Sequence, residues 1–166
     1  MSTSVAYNEY AAKTLEILSK GAFLTAASGN QCNTMTIGWG NIGFIWQKPI
    51  FTVMVRPSRF TFELLEKSKE FTVSVPFTDK KQALNICGTK SGRDIDKFKA
   101  AGLVTNPSKK INTPVIADCG LHYECKVVYQ QVMIPEQLNP DYQTAYYANG
   151  DYHTLYFGEI VATYMD

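Results

Sequence analysis

Apolar positions along this chain follow two rhythms, and the switches between them mark out its elements. Between Ala6 and Lys20, Leu15 and Leu18 share a face with Ala11 and Ala12, the spacing of an amphipathic helix, and Gly21 supplies a stop. Phe23 to Ser28 reads as a short strand, Gly29-Asn30-Gln31 as turn chemistry, and Thr34 to Trp39 as a second strand, so a hairpin is expected. Gly38, Gly40 and Gly43 loosen the next stretch and point to bulges or close backbone approach. Ile50 to Arg56 is the clearest strand: β-branched, aromatic, almost continuously apolar, and ended by Pro57. Ser58 is placed to cap a helix running through Lys67, with Phe62, Leu65 and Leu64 facing inward.

Phe71 to Val75, closed by Pro76, is another strand. Thr78 or Asp79 caps a short helix to Ile86, and Ile95 to Ala101 adds a further helical turn or two. Pro107 and Pro114 bracket an exposed lysine pair. Gly120 to Val132 and Thr154 to Tyr164 alternate in part and read as late strands, and the Pro/Asn-rich connection from Pro135 to Gly150 reads as a loop. Six or more strands with three or four inserted helices do not make the alternating rhythm of a doubly wound sheet. The expected class is mainly β, an antiparallel barrel decorated by helices.

Length and composition narrow this further. At 166 residues the chain is expected to form one domain, 1–166, able to bury about two thirds of its unfolded surface. A formal net charge of +1 argues against a nucleic-acid or anionic-membrane surface. Ten Tyr and nine Phe suit strands and a ligand wall equally. The four cysteines, at 32, 87, 119 and 125, form no Cys-x-x-Cys pair, and His122 and His153 are not spaced as metal partners. The thiols are therefore expected to be buried and reduced, in a cytoplasmic protein. Met1-Ser2-Thr3-Ser4 carries no basic region, and no segment approaches the ~20 apolar residues of a membrane span, so neither a leader nor a span is expected.

Three separated segments carry candidate chemistry. Arg56-Pro57-Ser58-Arg59-Phe60-Thr61 joins a strand end to a helix start, where free N–H groups and the helix dipole favour an anion, and it adds two hydroxyls and two guanidinium groups. Taken alone, it reads first as an ordinary capped helix with two solvated arginines, because capping serines are common. Gly88-Thr89-Lys90-Ser91-Gly92-Arg93 is a basic, hydroxyl-rich loop with Lys97 one helical turn beyond Arg93. It is not a nucleoside-triphosphate loop, because Gly92 is followed by Arg93-Asp94 rather than Lys-Ser/Thr. Asn33-Thr34-Met35-Thr36 opens a strand, where backbone groups can meet the polar edge of a ring beside Met35 and Trp39. His153 precedes the last strand, His122 reads as structural, and no Ser-His-Asp arrangement stands out. Glu63, Glu66 and Glu70 read as solvated faces.

In this order and at these separations, the three segments, with Cys87-Gly88 and Asp96-Lys97-Phe98, resemble the flavin reductase-like, FMN-binding split-barrel family, and most of all its flavoredoxin branch. The stretch His153 to Glu159 is similar to that family's last strand, and the turn Gly29-Asn30-Gln31-Cys32 departs from the Lys-Pro or Arg-Pro common in relatives. The resemblance implies a Greek-key-like split barrel, paired as a homodimer, with one FMN per subunit. It implies that Arg56, Ser58, Arg59 and Thr61 serve the phosphate, and that Asn33, Thr34, Met35 and Thr36, with Trp39, face the ring and ribityl chain. It further implies that Ser91, Gly92, Arg93 and Lys97 close over the cofactor and that His153 borders the site. The expected function is a flavoprotein oxidoreductase in which NADH or NADPH reduces FMN and an acceptor takes the electrons. The alternative is an FMN-dependent carrier that receives electrons from a redox protein partner.

Overall fold

The computed structural model describes residues 2–166. Its elements in chain order are β1 (Thr3–Ser4), α1 (Ala11–Leu18), β2 (Ala22–Ser28), β3 (Gln31–Ile37), β4 (Gly40–Ile45), β5 (Lys48–Val55), α2 (Phe60–Ser68) and β6 (Glu70–Pro76). There follow α3 (Lys81–Thr89), α4 (Lys97–Ala101), β7 (Thr105–Asn106), β8 (Val115–Ile116), β9 (Gly120–Val132), a 3-10 turn at Pro135–Gln137, α5 (Pro140–Tyr146) and β10 (Thr154–Met165). The main sheet runs β3-β2-β6-β9-β10-β5-β4 with β1 on β10, and every pairing is antiparallel. Its two edges, β3 and β4, are consecutive in the chain and joined only by Gly38 and Trp39. The sheet therefore curls on itself without closing, the mainly β, split-barrel class expected from the sequence.

Period-two alternation builds two cores from one sheet. On the inner face Leu24, Met35, Phe51, Val53, Phe71, Val73, Leu121 and Tyr123 pack with Leu18 of α1 and Leu64 and Leu65 of α2. On the outer face Phe23, one residue from Leu24, packs with Ala83 and Cys87 of α3, and with Leu103, Ile116 and Cys119. Three of the four cysteines are buried, and Cys32 is partly exposed. β9 and β10 form the long spine, with irregularities at Phe157/Gly158 and Ile160/Ala162. Gly158 has no room for a side chain: an added Cβ would stand 2.5 Å from Phe71 Cζ and 2.8 Å from Cys125 Cβ.

Several expectations change in detail. α1 begins at Ala11, because residues 7–10 form turns in which the Ala11 N–H donates to Asn8 O. The glycines after β3 mark a regular strand, not a bulge: β4 pairs with β5 without a break from Gly40↔Val53 to Ile45↔Lys48. Gly40 permits this, since a Cβ there would lie 2.8 Å from Thr52 O. The hairpin closes through Trp46 and Gln47, both at positive φ (54° and 57°), the geometry of a two-residue turn that normally selects Asn-Gly. The segment read as a loop from Pro135 to Gly150 contains α5, signalled by Asn139-Pro140: Asn139 caps the Asp141 N–H at 2.8 Å, and proline occupies the first turn. At α2 the cap position falls on Arg59 rather than Ser58, and no side chain caps it.

Candidate functional site

Two adjoining cavities, about 270 and 160 Å3, share Met35, Arg56 and Arg59 and so form one groove. Small-molecule sites span roughly 300–1,000 Å3. The groove lies where β3, the end of β5, the start of α2 and the loop after α3 converge. Its larger part is lined by Asn33, Ser58, Arg59, Thr61, Ser91, Gly92 and Lys97, and its smaller part by Thr36, Trp39, Met54 and His153. Of the residues singled out in the sequence, all but Thr34 and Arg93 line it directly.

Those two are placed differently for identifiable reasons. Thr34 points to the other side of the edge strand, where its hydroxyl donates to Leu24 O and accepts from Thr25 Oγ1; only its carbonyl reaches the site, accepting from Lys97 Nζ at 3.0 Å. Arg93 pairs with Glu63 and donates to Ser58 O at 2.9 Å, which fastens the loop to α2 outside the cavity. Glu63 is thus an ion-pair partner rather than a bare solvated face. Glu66 likewise accepts from Tyr156 Oη at 2.5 Å, and Glu70 accepts from the Asn112 and Thr113 N–H groups at 2.8 and 2.9 Å.

The electrostatics are one-sided. Lys97 is 3% exposed, and its ammonium donates to two carbonyls, Cys87 O at 2.8 Å and Thr34 O at 3.0 Å, with no carboxylate among its partners. Desolvation pushes its pKa down, and nearby Arg59 adds to that. Arg59 donates to Gly88 O at 3.0 Å, and Lys90 also lines the cavity. The one carboxylate lining it is Asp151, which accepts from Ser58 Oγ at 2.6 Å. Together with the uncapped start of α2, this is an environment that favours an anion.

Arg56 has a different employment. Its guanidinium donates to Asp151 O at 2.7 Å and Tyr146 O at 2.8 Å and lies over the Tyr147 ring, so it fastens the α5–β10 connection to the groove. That connection delivers His153, whose Nδ1 meets Tyr147 Oη at 2.6 Å and whose ring sits 5.5 Å from Trp39. Burial and the positive charge of Arg56 pull its pKa down to about 4, against the pull of Asp151, so the ring is neutral near pH 7.

Gly92 is required by packing, because a Cβ there would collide with Asn33 Oδ1 and stand 3.0 Å from Phe60. Asn33 itself is held by donating to Thr61 Oγ1 at 2.8 Å. Sequence reasoning named Thr89 and Lys90 only as part of the basic loop, and it missed Met54 and Asp151, of which only Asp151 carried a signal, as a charge two residues before His153. It also missed a hydrogen-bonded series, Ser74–His122–Asp166 (3.0 and 2.8 Å). Ser74 and His122 are fully buried and Ser74 Oγ accepts from Ile116 N–H, so the series is a strut between strands rather than a nucleophile.

Comparison with known proteins bears on the fold and the family. The flavin reductase like domain matches residues 17–166. An uncharacterized protein of Pyrococcus abyssi is 30% identical over 144 residues, 86% of this chain and 72% of its own length. An FMN-binding domain of a flavin reductases-like enzyme from Shewanella baltica superposes with a TM-score of 0.72 at 22% identity, over 100% of this chain and 78% of that one. Flavoredoxin of Desulfovibrio vulgaris (Miyazaki F) superposes with a TM-score of 0.69 at 22% identity, covering 88% of this chain and 69% of that one. With its fold in common and the family's domain extending over nearly all of its length, the chain belongs to the flavin reductase-like family.

Proposed function

We propose that this protein is a flavoprotein oxidoreductase that holds FMN in the groove and passes electrons from NADH or NADPH to an acceptor. One observation carries the reading: a buried, carboxylate-free ammonium, Lys97, shares a cavity with Arg59, Ser58, Thr61 and Ser91 at the uncapped start of a helix. A buried cation without a counter-charge is costly, and a bound dianion offsets that cost. The FMN-binding description of the Shewanella baltica structure and the flavoredoxin of Desulfovibrio vulgaris support the choice of anion.

Lys97, Arg59 and the three hydroxyls would hold the phosphate, with Arg93 bracing the loop from outside. The β3 backbone from Asn33 to Thr36, Met35, Met54 and Trp39 would receive the ring, and Arg56 would keep His153 and Asp151 in position. FMN, when bound, supplies hydride and single-electron chemistry. The protein's part is orientation and charge, and no acid or base from the chain is needed. His153, neutral at pH 7, presents a polar but uncharged edge. The same reading treats residues 1–166 as a single cofactor domain in a cytoplasmic setting, and pairs two copies through the exposed aromatic surface around Trp46, Phe44 and Tyr129.

The test is an FMN titration followed by rapid mixing with NADH and NADPH under anaerobic conditions. Uptake at micromolar levels and bleaching of the bound flavin by either nucleotide is the expected result. Uptake without bleaching assigns the protein to electron transfer from a redox protein partner. Absence of uptake removes the flavin reading altogether.

A further inference from the structure

The groove is not the roomiest cavity among the described residues. That is a separate hollow of about 990 Å3 between α1, α3 and the turn after β6. Its floor is apolar, from Phe77 and Leu84, and four lysines stand around it: Lys13 from α1, Lys20 from the turn that follows α1, and Lys80 and Lys81 from the start of α3. A single carboxylate, Asp79, lines it, and that group accepts from the Lys81 backbone N–H at 2.9 Å. Lys20 has only an exposed contact with Glu16 at 4.0 Å, and among the described residues Lys13, Lys80 and Lys81 have no salt bridge. Lys13 Nζ instead sits 4.1 Å from the centre of the Phe77 ring. The arrangement is therefore an apolar cleft with an unbalanced cationic rim.

We infer that this cleft is a second ligand site, for a small organic anion with an aromatic or otherwise flat apolar body. The chemistry selects both halves of that description. A purely inorganic anion would leave Phe77 and Leu84 wetted, and an uncharged aromatic would leave the lysines unanswered. The cleft is distinct from the flavin groove but shares its wall. Thr36 lines both, its hydroxyl donates to Leu84 O at 2.6 Å, and α3 closes on β3 there because Gly88 has no side chain, an added Cβ standing 3.3 Å from Thr36 Cβ. An occupant would thus lie one residue's thickness from the groove. The inference does not depend on flavin binding.

The probe is 8-anilinonaphthalene-1-sulfonate, compared with N-phenyl-1-naphthylamine, the same ring system without the sulfonate. Fluorescence titration of the full chain is expected to show saturable binding of the sulfonate, at least about tenfold tighter than the neutral analogue. The double substitution Lys80→Ala/Lys81→Ala is expected to weaken sulfonate binding about tenfold and leave the neutral analogue unchanged, and Lys80→Arg/Lys81→Arg to retain it. Excess FMN is expected not to displace the probe. Equal binding of the two probes, full retention in the double alanine variant, or displacement by FMN would each overturn the assignment. The first would mean nonspecific apolar binding and the last would mean binding in the groove. A far-ultraviolet dichroism spectrum matching the wild type keeps the alanine result free of folding effects.

Discussion

Lys97 concentrates the physical logic of the site. It is held between two carbonyls in a place that strips its hydration and gives no acid in return. The substitution Lys97→Met should therefore leave the flavin-free protein as stable as the wild type or more so by urea denaturation, while weakening FMN about 10- to 100-fold. A variant that unfolds early yet keeps full affinity would contradict both halves. His153 yields a pH prediction. Its folded pKa of about 4 lies below the unfolded value of 6.5, so between those pH values the unfolded chain carries the extra proton. Stability is then fully present above pH 6.5 and falls as the pH drops toward 4, by up to about 3 kcal/mol. Urea midpoints from pH 4 to 7 should show this slope in the wild type, and a flatter one in His153→Gln. At this scale the sequence was readable where chemistry was local: the hydroxyls and cations after β5 were visible as a candidate anion site. It could not show that Lys97 loses its water or that Arg56 would serve carbonyls 90 and 95 residues away, because both follow from long-range closure.

Elements were legible in proportion to how far burial dictates their pattern. β5, covered on both faces, announced itself as an apolar run. β4 is an edge strand rich in glycine, and its pairing is set by the close approach of Gly40 to Thr52 O, which no hydrophobic rhythm records. α5 buries none of its residues, so its amphipathic signal was absent and only the Asn-Pro cap remained to betray it. The spine of the sheet offers the sharpest test. Gly158→Ala places a methyl against Phe71 and Cys125 in the inner core, and should lower stability by about 1–3 kcal/mol with a matching fall in melting temperature. An unchanged melting temperature would mean that the strand slides to relieve the clash, and would refute this packing.

For the whole molecule, the pressing question is what covers the exposed aromatic surface. Trp46 is 58% exposed at a turn that its backbone enters only at positive φ, and its ring lies about 6 Å from those of Tyr129 and Phe157. Apolar area of this kind is uncommon on monomers. Sedimentation should find a dimer, and Trp46→Glu should shift it to monomer, the turn itself tolerating the change; a wild-type monomer at high micromolar concentration would remove the pairing. The ordered set of segments made the architecture and family expectation legible, because strand order in this fold follows from a few turns and crossovers. Partner surfaces were not, since an aromatic side chain carries the same letter whether it meets the core or the outside. A last consequence belongs to the open seam. The strands flanking it are tethered at one corner by two residues, which limits that corner to a span of about 11 Å. The opposite corner has no such leash. The gap can therefore widen only like a clothes-peg, pivoting about Gly38 and Trp39, and amide exchange along β3 and β4 should quicken with distance from that pivot.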